Sequence, residues 1–267
     1  MKTTHKIIKY LAIALAIAII AGIFGALVSM ANGFSGIRYT FGGSKTNADK
    51  IFNGSEESIL YIEIGASKVN IREGDELSGV TDNEYISIET KGNKLVAIES
   101  KHSSIKNDET YLDITIPSDY EFEKIVITTG AGTVVAQALR AEKLELTLGA
   151  GEVTVDYLCV SKEADIEGGV GKLTVKDGVL YNLDAEMGVG KANIRASIRG
   201  ESDLETGVGD FELTLLGGKE SYKFDATTGI GSCKIGDEKI VGEKVIGSGD
   251  NKIDIDCGIG SVTVTFE

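Results

Sequence analysis

Seven times the chain interrupts a run of alternating apolar residues with glycine, one apolar residue and a second glycine. The triplets are Gly130-Ala131-Gly132, Gly149-Ala150-Gly151, Gly169-Val170-Gly171, Gly188-Val189-Gly190, Gly207-Val208-Gly209, Gly229-Ile230-Gly231 and Gly258-Ile259-Gly260. Successive first glycines lie 19, 20, 19, 19, 22 and 29 residues apart, and periods near 20 residues belong to stacked repeat architectures. Counted from the first glycine, apolar residues stand at minus five, minus three and minus one (Leu144, Leu146, Leu148; Ile253, Ile255, Cys257) and again at plus four and plus six (Val153, Val155; Phe211, Leu213). Each half alternates with period two, as a strand with one buried face does. The buried parity switches from odd to even across the glycines, so a straight strand would turn its second half outward. The chain must bend there. Glycine serves a bend by tolerating positive φ and by letting one backbone approach another closely; the expected corner tucks its middle residue into the core.

A partial copy, "LYIEIGASKVNIREG", keeps Val69 and Ile71 in the plus-four and plus-six places although Ser67 replaces the second glycine. Between it and Gly130 lie a hairpin pattern, "YISIET" and "LVAIES" around "KGNK", and a strand pattern, "YLDITIP". This irregular first half reads as a start region or cap. Strand-turn-strand units of this size cannot bury their apolar faces alone, but stacked in parallel they enclose one narrow core. The expected fold is therefore all-β: a parallel β-solenoid, right-handed and β-helix-like, of about eight coils over residues 58–267. The 34 glycines and single proline fit this reading, since the glycines fall in turns rather than in a Gly-X-Y period.

Ahead of the repeats, Tyr10 to Met30 form 21 uncharged, mostly apolar positions. As a helix they would span roughly 31 Å against a hydrocarbon core of about 30 Å. Lys2, Lys6 and Lys9 precede the run and no acid occurs before Asp49. The positive-inside rule therefore expects residues 1–9 in the cytoplasm, 10–30 as one transmembrane helix in the cell membrane, 31–57 as a juxtamembrane spacer and the repeats outside. A cleaved signal peptide is the alternative, although the run exceeds the 7–15 residues usual for a signal core. Ala14, Ala18, Gly22 and Ala26 make a row of small residues through which two such helices can pair.

Without the three lysines, residues 31–267 carry 24 basic against 41 acidic residues, a formal charge of −17. That excludes nucleic acid as a ligand and disfavours anionic lipid. The acids are not scattered. Position minus four holds Glu145, Asp165, Asp184, Asp203, Asp225 and Asp254, and position minus two adds Glu167, Glu186, Glu205 and Asp256. By parity they point outward, and in register they form a two-column carboxylate ladder with rungs about 4.8 Å apart. One reading is a solvated face that blocks lateral sheet contacts; the other is a binding face for Ca²⁺, a cationic envelope ligand or a partner protein.

Other chemistry is sparse. "GGVGKL" lacks the leading glycine and the Ser or Thr of a phosphate loop, and "GAGEVT" lacks the third glycine of a dinucleotide fingerprint. His102 is the one histidine beyond the N-terminal tail, and no zinc-ligand spacing occurs. Cys159, Cys233 and Cys257 form no CxxC pair and read as small buried hydrophobes. No catalytic residues and no cofactor are assigned.

The segment Asp113 to Val155, with Pro117, Tyr120, Phe122, Ile125, Ile127, Gly130 and Gly132 in place, resembles the bacterial putative adhesin family of glycine-punctuated β-strand repeats. The resemblance extends over residues 58–267 and implies an envelope-associated, non-enzymatic protein with no catalytic residues to transfer. The expected function is binding, adhesion or scaffolding at the envelope. The alternatives are a regulatory component of an envelope-stress response, paired through its membrane helix, and, third, a carbohydrate-active β-helix enzyme.

Overall fold

The computed structural model describes residues 50–53, 57–100 and 110–267. The expected tail, the membrane helix with Ala14, Ala18, Gly22 and Ala26, most of the spacer, and His102 lie outside the described residues. Among the described residues no helix is long and apolar enough to cross a membrane. The one helical element there is the three-residue 3₁₀ turn Lys219–Ser221; the rest is strand and turn.

Two columns of parallel strands run the length of the stack. The column before the glycine corners runs Lys94–Glu99, Ile59–Ile64, Phe122–Thr129, the end of Thr133–Leu148, the end of Glu152–Gly168, Leu183–Met187, Glu201–Thr206, Asn251–Cys257 and Tyr222–Thr228. The column after them runs Tyr111–Pro117, Lys68–Gly74, the start of Thr133–Leu148, the start of Glu152–Gly168, Lys172–Val175, Lys191–Arg199, Asp210–Leu215, Ser261–Phe266 and Ser232–Ile235. Alternate residues of both columns face inward, so Leu144, Leu146, Leu148, Val153 and Val155 all join one core.

The chain does not visit these levels in sequence order. At each end the unit second from the terminus is outermost, and the terminal unit lies between it and the body of the stack. Asn251–Cys257 pairs with Glu201–Thr206 on one side and Tyr222–Thr228 on the other. The 29-residue interval before Gly258 makes this excursion possible, because it holds two further strands. Glu238–Ile240 and Glu243–Gly247 pair antiparallel with the outermost level and cover its open edge. At the other end Ile86–Lys91 covers Lys94–Glu99, Ser78–Thr81 covers Tyr111–Pro117, and Lys50–Asn53 pairs with Ser78–Thr81. This last strand falls inside the stretch read as a spacer.

Four middle levels have a third, short face: the centres of Thr133–Leu148 and Glu152–Gly168, then Gly178–Tyr181 and the end of Lys191–Arg199. Leu139, Leu158, Leu180 and Ile198 fill it from inside. Cys159 lies on this face and is only partly buried, unlike Cys233 and Cys257.

The glycine corners bend as expected, but for one of the two expected reasons only. Among the described residues the glycines with positive φ are Gly92, Gly200, Gly217, Gly236, Gly242 and Gly247, and none belongs to a triplet. Close approach decides instead. A Cβ on Gly149 would stand 2.6 Å from the Gly130 carbonyl oxygen, and one on Gly171 2.5 Å from that of Gly151. The middle residues also depart from expectation: Val170 and Ile230 are each 58% exposed and point away from the core. Their N–H groups face the preceding level, as Val170 does in donating to the Gly149 carbonyl at 2.7 Å, and this turns the side chain out.

Where no glycine level precedes Gly65-Ala66-Ser67, a carboxylate takes the place of the missing carbonyls. Glu99 accepts from the N–H groups of Gly65 (2.7 Å), Ala66 (3.0 Å) and Ser67 (3.3 Å) and from the Ser67 hydroxyl (2.8 Å). Partial burial works against its charge, but these hydrogen bonds prevail and hold its carboxyl below the usual range. A depressed folded-state pKa stabilises above the unfolded value, and the contribution is lost as pH falls through the folded one. Glu99→Ala is expected to cost about 1–3 kcal/mol at neutral pH, with the deficit shrinking in acid; urea melts at pH 7 and pH 3 check this.

Candidate functional site

The strand register brings the ten sequence-selected acids onto one face. The minus-four column runs Glu145, Asp165, Asp184, Asp203, Asp254, Asp225, each opposite the next. The last two are exchanged relative to sequence because the terminal unit is interleaved. The minus-two column runs Glu167, Glu186, Glu205, Asp256. All ten are exposed, since alternation points them away from Leu144, Ile166, Ala185, Leu204 and Ile255 in the core.

Lysines reach only the margins of this face. Lys124 pairs with Glu145 at 2.5 Å, and Lys143–Glu163 and Lys252–Glu201 lie along the border at 2.6 Å each. Among the described residues none of the other nine ladder acids has a basic side chain within ion-pair distance. A shallow hollow of about 380 Å³ opens beside Asp165 and Asp184, bordered by Lys143, Lys162, Glu163 and Asn182. The column beyond the corner is different: Lys172 pairs with Glu152 at 2.7 Å and Lys191 with Glu212 at 2.8 Å, so its charges cancel.

Burial first and neighbouring carboxylates second push Asp165, Glu186, Asp203 and Glu205 upward; Asp184 is the leading neighbour for the first three and Glu186 for Glu205. For an acid, a raised folded-state pKa means that the native chain holds protons the unfolded chain releases. Stability falls as pH rises from the unfolded value through the folded one. Asp165→Asn with Asp184→Asn and Asp203→Asn is therefore expected to raise the melting temperature at pH 7 and to flatten its rise as pH falls towards the unfolded carboxylate value of about 4, as a melting series from pH 7 down to that value would show.

The expected calcium reading finds no support in this geometry. Among the described residues no group of three or more His, Cys, Asp or Glu side chains is placed to hold a metal ion, whereas Ca²⁺ takes six to eight oxygens. Flat neighbouring strands set the carboxylates side by side and do not converge them on a point.

Glycine-cornered levels of this kind match the Toastrack DUF4097 description over residues 51–265. The chain belongs to the Toastrack DUF4097 family. No curated protein matches it. Among solved structures this Toastrack chain is similar to a putative cell adhesion protein from Clostridium sporogenes (17% identity, 82% of this chain and 99% of that one, TM-score 0.37). It is also similar to a putative adhesin from Bacteroides fragilis (17%, 83% and 98%, TM-score 0.43) and one from Parabacteroides distasonis (15%, 81% and 96%, TM-score 0.49). Sequence reasoning found the ladder of the Toastrack domain but not the glutamate clamp at Glu99, whose three N–H donors lie 32 to 34 residues away.

Proposed function

We propose that this Toastrack chain is a membrane-anchored, extracytoplasmic, non-enzymatic binding module whose right-handed stack offers its acidic face to a cationic ligand or partner at the cell envelope. The observation that carries the proposal is the ladder itself: nine carboxylates in adjacent rungs without a basic partner among the described residues, beside a column whose charges cancel. Two unit charges about 4.8 Å apart repel by roughly 0.9 kcal/mol even in bulk water. A ligand bearing several positive charges relieves several such repulsions at once and gains avidity from the regular spacing. The anchor and orientation rest on the 21-residue apolar run and on Lys2, Lys6 and Lys9.

Protease added to intact spheroplasts is expected to digest residues 31–267; digestion only after lysis would overturn the orientation. Oligolysine is expected to bind residues 48–267 saturably, with affinity falling steeply as salt rises. Asp165→Asn with Asp184→Asn and Asp203→Asn should remove that binding. If the triple variant binds as the parent does, the ladder is only a solvated face.

A further inference from the structure

The outward-turned middle residues form a second continuous feature. From level to level they run Ala66, Ala131, Ala150, Val170, Val189, Val208, Ile259, Ile230, each of the last seven N–H groups donating to a glycine carbonyl one level before it. Val170 (58%), Val208 (38%), Ile259 (45%) and Ile230 (58%) are four of the seven large hydrophobics exposed among the described residues. The corner itself asks nothing of these side chains, because the bend is made by the flanking glycines and the backbone N–H. An apolar ridge one residue wide, repeating at the strand spacing of about 4.8 Å, is thus maintained on a strongly acidic surface.

We propose that the ridge is a self-association surface, along which a second copy of this chain packs side by side and in the same direction. Three observations select that occupant. The ridge's minus-two neighbours include Glu167, Glu186, Glu205 and Asp256; a lipid surface reached by the ridge would strip water from these carboxylates, which is costly. A second copy has the same rise per level, so every ridge residue finds a counterpart. Charge then sets the orientation. With the two-fold axis along the stack, the acidic column of one copy meets the plus-three column of the other, Glu152, Lys172, Lys191, Asp210. Glu167 then faces Lys172 and Glu186 faces Lys191, lysines that each also pair within their own copy, and Glu205 faces Asp210, so the acidic column meets a column that is neutral as a whole. The opposite orientation lays acidic column on acidic column.

Five rungs from Val170 to Ile230 extend only about 20 Å, short of the roughly 800 Å² per partner of a stable interface. The pair is weak in solution, and a shared membrane supplies the effective concentration that holds it. In this the inference rests on the anchor proposed above.

The test uses the full chain in its own membrane, with Cys159→Ser as background because Cys233 and Cys257 are buried. Single Val170→Cys, Val189→Cys and Val208→Cys variants should each give a disulfide-linked homodimer under a mild oxidant, whereas Thr174→Cys on the neighbouring strand should not. Val208→Glu should abolish cross-linking at Val189→Cys. Ridge cysteines that cross-link no better than Thr174→Cys, that link Val170→Cys to Ile230→Cys in mixed cells rather than to itself, or that link to another protein overturn the proposal. A membrane-impermeant maleimide on spheroplasts separates the two readings. Labelling from outside without dimer sinks self-association alone; labelling only after lysis sinks the topology, and the oxidant applied to lysed membranes still reads the dimer.

Discussion

Deleting residues 251–267 is expected to strip amide protection from residues 222–247, which the cut leaves in place, while the levels up to Leu215 stay protected. In a solenoid wound strictly in sequence order, removing the terminal unit would shorten the stack by one level and leave its neighbour intact, because such proteins hold together through nearest-neighbour interfaces. Here the terminal unit is the neighbour. Tyr222–Thr228 and Ser232–Ile235 join the body of the stack through Asn251–Cys257 and Ser261–Phe266. Their other partners are the two covering strands, Glu243–Gly247 and Glu238–Ile240. The aromatic cluster of Tyr222, Phe224 and Phe266, with ring centroids 6.0 to 6.4 Å apart, loses a member with the same cut. Hydrogen exchange on residues 48–250 compared with 48–267 measures this. Protection persisting over 222–235 would show that the interleaved order is wrong.

The second large effect is at the corners. Gly171→Ala is expected to destabilise by about 3 kcal/mol, the upper part of the range for overpacking, whereas Val170→Ala next to it should change stability by less than about 0.5 kcal/mol. The contrast follows from direction. A methyl group on Gly171 would lie 2.5 Å from the Gly151 carbonyl oxygen, an atom of a rigid, hydrogen-bonded backbone that cannot step aside. Val170 points into water. Gly207→Ala should behave like Gly171→Ala, with its methyl group 2.7 Å from the Gly188 oxygen. Denaturant melts of residues 48–267 decide the matter; equal shifts at Gly171 and Val170 would refute close approach as the reason for the triplets.

Much of this architecture was legible in the chain because its period of about 20 residues and its strict alternation are local signals that repeat. Leu144, Leu146, Leu148, Val153 and Val155 announce two buried half-strands and a bend between them, and the same alternation places Asp165, Asp184 and Asp203 in one outward column. The position of the glycines was equally plain. Their reason was not: close approach of Gly171 to Gly151 and positive φ leave the same mark in a sequence, and only the packed levels distinguish them. The outward turn of Val170 was hidden for a related cause, since an apolar residue flanked by glycines carries no parity of its own and its direction is set by the N–H bond to the level before. The third face escaped because segments such as Gly178–Tyr181 are too short to show a period. The order of the levels is the deepest case. Sequence alternation determines which face each residue presents, but Asn251–Cys257 could stack on Tyr222–Thr228 alone or also intervene between it and Glu201–Thr206 with the same residues buried. That choice belongs to the covering strands Glu238–Ile240 and Glu243–Gly247, which close the outer edge and leave the terminal unit only an inner place to pair.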